Sequence, residues 1–309
     1  MLFRSTVTIV VDIDAAIGYV VAHGDPIERA RLSFLRAGTP PPPSVLDTIG
    51  REQTGAGGWP AGGDTSVPSV DATCIRLAEL DDLGCLHGPQ ADRAVTWLAG
   101  VQRSDGSWQE DDVLAPEAPP WAKPGDPEAT LYLTAVAGFW TTAAGRHAAT
   151  AAGQHAAATA AGQHAAATAA GQHAVATAAG QHAAATAGGR HSASERAARF
   201  VAARLRPDGT WPSFLAAGWY AAGLLHGAQL FYESARVQLV LGDRLDGMSP
   251  ADVATMAAVL RRAGLGDDEL LAGAHKRLTG TQRTDGGWDS DEGPVFDVNT
   301  TLTVIRACR

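Results

Sequence analysis

Apolar and polar residues follow one another along this chain at the spacing of amphipathic helices, and no stretch alternates one by one for long enough to make a half-buried strand. Ala91-Asp92-Arg93-Ala94-Val95-Thr96-Trp97-Leu98 and Glu195-Arg196-Ala197-Ala198-Arg199-Phe200-Val201 set the type, with apolar residues on one face and charge on the other. Each runs into a short phrase that contains Asp-Gly and a tryptophan, and a second, more apolar helix follows. The pattern predicts these second helices over 72–83, 129–140, 213–225 and 298–307. The unit is a helical hairpin.

The phrase recurs as Gln102-Arg103-Ser104-Asp105-Gly106-Ser107-Trp108, Leu205-Arg206-Pro207-Asp208-Gly209-Thr210-Trp211 and Gln282-Arg283-Thr284-Asp285-Gly286-Gly287-Trp288. A worn copy precedes them at Gln53-Thr54-Gly55-Ala56-Gly57-Gly58-Trp59. In each, the glutamine or its replacement falls at a helix end and the Gly supplies a tight turn. The tryptophan just beyond can cover the helix terminus, with its N–H on a backbone or amide partner. A repeated unit buries its apolar face against its neighbours, so the 309 residues are expected to form one domain, 1–309.

Composition narrows the partners. A formal net charge of −9 disfavours nucleic acid, which needs a basic face. Cys74, Cys85 and Cys308 are odd in number and lack a framework spacing, as expected of a reducing, cytoplasmic setting. The run Val7-Thr8-Ile9-Val10-Val11 is too short for a membrane span and reads as the start of a core helix.

Between residues 145 and 191 lies a low-complexity Ala/His/Gly array with histidines at 147, 155, 164, 173, 182 and 191. On a helix, a nine-residue period puts successive histidines on opposite faces, roughly 13.5 Å apart, so they cannot share one ion. A glycine every nine residues costs about 1 kcal/mol each, and no stripe of large apolar side chains offsets it. The tract is therefore expected to be an exposed insertion, helical in part or disordered, between two helices of the repeat. Without it, the second and third tryptophans would stand about one hairpin apart.

The repeated Gln-x-x-Asp-Gly-x-Trp phrase followed by a helix resembles the QW repeat of squalene–hopene and oxidosqualene cyclases. More loosely it is similar to class II diterpene cyclases and protein prenyltransferase β subunits. The resemblance covers most of the chain outside 145–191. It implies an all-α fold, a single alpha-alpha toroid of inner and outer helices, and an isoprenoid substrate such as a prenyl diphosphate.

In such a toroid the residues before the inner helices form a ring. Here they are Ser69-Val70-Asp71-Ala72-Thr73, Gly125-Asp126-Pro127-Glu128 and Phe296-Asp297-Val298-Asn299-Thr300-Thr301. Asp71, Asp126 and Asp297 could be N-caps, which are worth about 0.5–2 kcal/mol. The resemblance implies a second reading. Class II cyclases carry Asp-x-Asp-Asp-Thr or Asp-x-Asp-Thr-Thr at the start of an inner helix, and the middle aspartate protonates an alkene or epoxide. Laid on that motif, Asp71 takes the acid's place with Ser69 for the first aspartate, while Asn299, which cannot donate the proton, takes it in the later segment. Asp71 is thus the leading acid, with Asp126 and Asp297 as alternatives.

A helix N-terminus favours the ionised carboxylate, so an acid there needs burial or a second carboxylate to keep its proton. The same positive rim would suit a diphosphate directly, with or without Mg²⁺ held by the acids. Aromatic faces stabilise cations. Trp121 and Tyr132 are the leading substrate-binding candidates, with Tyr232, Ser69 and Asn299 beside them. Glu110-Asp111-Asp112 reads as a solvated acidic loop or a source of a metal ligand. A zinc site of the prenyltransferase kind would draw on Asp71 and Cys74, which share a helical face, but no third ligand is evident and none is assigned. The expected activity is acid-initiated cyclisation of an isoprenoid. The alternatives are a non-catalytic isoprenoid-binding module working beside a separate enzyme, a prenyltransferase, and a protein that touches membranes peripherally through an apolar patch.

Overall fold

The structure, a computed structural model, describes residues 10–62, 66–165, 192–265 and 269–309. Within them the chain is built of helices: α1 (Ile13–His23), α2 (Pro26–Ala37), α3 (Pro43–Arg51), α4 (Val70–Asp82), α5 (Pro89–Val101), α6 (Pro127–Ala165), α7 (192–202), α8 (Leu215–Gly227), α9 (Phe231–Arg244), α10 (Pro250–Ala263), α11 (Glu269–Thr281) and α12 (Asp297–Ala307). The one extended pairing among the described residues is antiparallel and joins Trp59–Pro60 to Pro68–Ser69. The run Val7–Val11 lies largely outside the described residues, and the first helix begins at Ile13.

Local chemistry explains where the helices start and stop. Asp25 and Glu28 form a reciprocal capping box on α2, with Pro26 in the first turn, and Gly38 closes that helix in the left-handed region. Ser249 and Pro250 start α10 in the same style, and Gly264 ends it.

The even-numbered helices pack side by side in sequence order, and α12 returns to α2, so they close a ring of six. The odd-numbered helices lie outside it: α1 against α12, α5 against α4 and α6, α9 against α8, α11 against α10. The fold is an all-α, alpha-alpha toroid. Close approach within it depends on Gly138 of α6, where a Cβ would stand 2.8 Å from Leu224 Cδ2 and 3.0 Å from Ala197 Cβ.

The repeated phrase clasps one hairpin to the next. Gln102 Nε2 donates to Gly106 O and to Ala193 O on the following outer helix, each at 2.9 Å. Gln53 does the same to Gly57 O and Gln90 O, and Gln282 to Gly286 O and Asp12 O, so the last clasp grips the first helix and shuts the ring. The tryptophan N–H groups of Trp59, Trp108 and Trp288 donate back to Ile49 O, Leu98 O and Leu278 O. Gly106 has φ 90°, and a Cβ there would meet Arg196 O at 2.7 Å, which is why the turn requires glycine. The third copy has Leu205 in place of glutamine, and Arg236 makes its cross-link instead by donating to Arg206 O.

One helix departs from the others. The remaining inner helices have 11 to 14 residues, but α6 has 39 and is about 58 Å long. It continues without a break into the alanine–histidine tract as far as Ala165; the rest of the tract, residues 166–191, lies outside the described residues.

Candidate active site in the toroid cavity

The six inner helices enclose a cavity of about 880 Å³, and each contributes to its wall, among them Arg31, Asp71, Tyr132, Tyr220, Arg262 and Asn299. A second cavity of about 650 Å³ lies under the loop 110–122 and shares Asp71, Ile75 and Trp121 with the first.

Asp71 sits in the first turn of α4, half-buried, with both carboxylate oxygens occupied. Tyr132 O–H on α6 donates to Oδ1 at 3.1 Å, and Trp121 Nε1–H donates to Oδ2 at 3.0 Å. Burial pushes the Asp71 carboxyl above the ordinary aspartate range. The two donors pull it back in part, and the nearby Glu292 charge adds to the rise.

The positive end of α4 is spent elsewhere. Glu110 accepts from the backbone N–H of Val70 at 2.8 Å and of Asp71 at 2.9 Å, and from Ser69 Oγ–H at 2.8 Å. Ser69 in turn caps Ala72 N–H. Glu110 is therefore no solvated loop residue: it is 2% exposed, and burial raises its carboxyl despite those three donors. This helix start thus receives a carboxylate from about forty positions along the chain. Its signal in the sequence is positional. Glu110 stands two residues after Trp108 and reaches back to α4, as Ser213, two after Trp211, reaches back to Glu128 O in α6.

Thr73, Thr134 and Thr301 each accept the backbone N–H of a repeat tryptophan, so the threonines of the two motif-like segments belong to the clasp. Two residues before each stand Asp71, Tyr132 and Asn299, and all three line the cavity. Asn299 Oδ1 accepts from Arg31.

Three expected residues are not brought to the site. Asp126 caps α6 by accepting from Glu128 N–H and Ala129 N–H, and it does not line the cavity. Asp297 is buried in an ion pair with Arg283 and accepts from Ser290 N–H, because its position in the turn points it at the preceding loop. Tyr232 is 72% exposed on the outer helix α9, where Arg236 lies over its ring. Ser69 acts through Glu110 and lines the second cavity.

Cys74 lies one turn beyond Asp71, fully enclosed, and burial pushes its thiol well above the usual range. Among the described residues no three His, Cys, Asp or Glu side chains gather as a metal-binding set. Asp111 caps a short 3-10 turn instead, and His275 Nε2–H donates to Ala307 O at 3.0 Å. No helix among the described residues is long and apolar enough to cross a membrane.

The far end of the cavity is charged. Asp82, at the C-terminal end of α4, accepts from Arg31 Nη2 at 2.8 Å and Arg262 Nη2 at 2.6 Å, while Asp81 accepts from Arg262 Nε at 2.6 Å and Arg306 Nη2 at 2.7 Å. Burial alone would raise the Asp82 carboxyl, but Arg262, Arg31 and Arg306 together hold it below the ordinary range.

No protein-family model and no curated protein matches this chain. Solved structures do. A protein from Actinoplanes superposes over 96% of this chain and 88% of its own at 18% identity, with a TM-score of 0.52. A variant of type II terpene cyclase MstE from Scytonema, in complex with the product merosterolic acid A, does so over 96% and 94% at 15% identity and TM-score 0.52. Another MstE variant, in complex with the substrate geranylgeranyl dihydroxybenzoate, covers 96% and 95% at 14% identity and TM-score 0.51. At these identities the likeness is one of fold.

Proposed function

We propose that this protein is a type II terpene cyclase-like enzyme, with Asp71 as the proton donor to an isoprenoid held in the central cavity. The observation that carries the reading is the setting of Asp71: a carboxyl raised by burial on the wall of an aromatic cavity, at the start of a helix whose free N–H groups are taken by Glu110. That arrangement removes the objection that a helix N-terminus would keep the acid ionised.

The step balances simply. The Asp71 proton passes to a carbon of the isoprenoid's terminal alkene; a C–H bond forms as the π bond and the O–H bond break, leaving a tertiary cation and a carboxylate. Trp121 and Tyr132, already hydrogen-bonded to that carboxylate, stabilise the charge left behind. The rings of Phe214, Trp140 and Tyr220 along the wall face the cation without bonding to it. Ring closure forms a C–C bond from a second π bond and moves the cation along the chain. It ends when a carbon beside the final cation gives its proton to water, its C–H pair becoming the new π bond, and Asp71 takes a proton back from solvent.

Support from the comparisons is confined to the fold and to the prenylated ligand of one structural neighbour. The test is incubation of the purified protein with farnesyl and geranylgeranyl diphosphates, a geranylgeranylated arene and squalene, with and without Mg²⁺, read by mass spectrometry. Cyclic isomers of one substrate, absent with Asp71→Asn, are expected. Bound but unchanged substrate would leave an isoprenoid-binding module, and transfer of the prenyl group to an acceptor would make it a prenyltransferase.

A further inference from the structure

We infer that the end of the cavity formed by Arg31, Arg262 and Asn299 is a head-group pocket that takes a single carboxylate; the inference rests on the isoprenoid reading of the cavity. The charges at that end form a chain of alternating sign, Arg31–Asp82–Arg262–Asp81–Arg306, with a cation at both ends. The Arg306 end reaches water, its side chain 24% exposed. The Arg31 end does not: the residue is 5% exposed and lines the cavity.

Arg31 spends one N–H on Asp82 and one on the neutral amide oxygen of Asn299. Its Nε–H, also buried, has no acceptor among the described residues. A buried guanidinium with unspent donors and half a counter-charge is costly unless an anion completes it. One carboxylate from the cavity side supplies the missing counter-charge, its two oxygens matching the planar guanidinium, whereas Nε–H is closed off from the cavity and takes no part.

The opposite end sets the size and charge of the ligand. Asp71 and Asp82 lie near the two ends of α4, about 16 Å apart along its axis, a span that an extended sesquiterpenoid or diterpenoid chain covers. A ligand with its terminal alkene at Asp71 therefore carries its head to Arg31. The remaining wall carries the carboxylates of Asp25, Glu28, Glu79, Asp252 and Glu292, with Glu79 paired to Arg76. That acidic surround disfavours a multiply charged diphosphate more than a monoanion.

The experiment compares binding of phytanic acid, phytanol and phytanyl diphosphate, which lack the alkene and so cannot turn over, by calorimetry. The acid is expected to bind about tenfold or more tightly than the alcohol, with the diphosphate weaker than the acid. Arg31→Met is expected to erase the acid's advantage, lowering the acid's affinity about tenfold more than the alcohol's. If Arg31→Met does not fold, Arg31→Lys, which keeps the charge but loses the fork, should reduce the advantage without abolishing it. Equal binding of acid and alcohol to the wild type, tightest binding of the diphosphate, or an acid preference undiminished in either variant overturns the head-group assignment while the cavity reading stands. Failure of all three ligands to bind overturns the isoprenoid reading itself and this inference with it.

Discussion

Tyr132 and Trp121 act on Asp71 in opposite senses before and after proton transfer, and the two effects can be measured apart. A hydrogen bond donated to a carboxylate favours its charged form, so removing one raises an already raised pKa. In the proposed reaction the acid form is the one that reacts, and it then survives to higher pH. Tyr132→Phe should therefore move the alkaline limb of the turnover profile upward. It should also lower the plateau by about tenfold or more, because one of two donors to the departing charge is gone. A limb that stays put, or moves down, would detach Tyr132 from the acid. At this scale the sequence is half legible. Asp71, Tyr132 and Asn299 can be picked out from their place near helix starts, and the cavity receives all three. Asp126 and Asp297 have the same local grammar, yet one caps its helix and the other pairs with Arg283, because a one- or two-residue shift along a helix start turns a side chain by a large angle.

At the scale of elements, the glutamine clasp ties α3 to α5, α5 to α7 and α11 to α1, and its contribution can be isolated. Gln102→Ala removes two donated bonds, to Gly106 O and Ala193 O, and leaves partly buried carbonyls without them. The expected loss is about 1–3 kcal/mol, seen as a lower midpoint in chemical denaturation with an unchanged slope. An unchanged midpoint would mean that helix packing alone holds the ring. The clasped hairpins are the ones that the repeated phrase reveals, and α4, α6, α8 and α12 start within two residues of the predicted second helices, although α6 runs on to Ala165. The hairpins α1–α2 and α9–α10 have no tryptophan phrase between their helices: a short Gly24-Asp25 link and the turn before Ser249 take its place, so nothing repeated marks them. Glu110 was hidden for a related reason. A carboxylate in an acidic run looks solvated until the next clasp is seen to deliver it to the preceding helix.

For the whole molecule, the ring closes between α12 and α2, and the sequence of residues 147–190 offers no large apolar side chain to that closure. Deleting 147–190 while keeping Arg146, which donates to the carbonyls of Arg262 and Ala263 at the end of α10, should leave the melting temperature within a few degrees of the parent. A larger drop would place the tract against the toroid. In the proposed reaction the ring would let one acid serve a long substrate: it brings α4, α6 and the loop at Trp121 to one wall and sets the charged chain at the other end. The most direct measurement of that arrangement is turnover in deuterium oxide. Asp71 exchanges with solvent, so the account expects a cyclic product carrying one added deuteron on the carbon of the former terminal alkene, and no product from Asp71→Asn. A product without that deuteron, or one formed equally by Asp71→Asn, would contradict it.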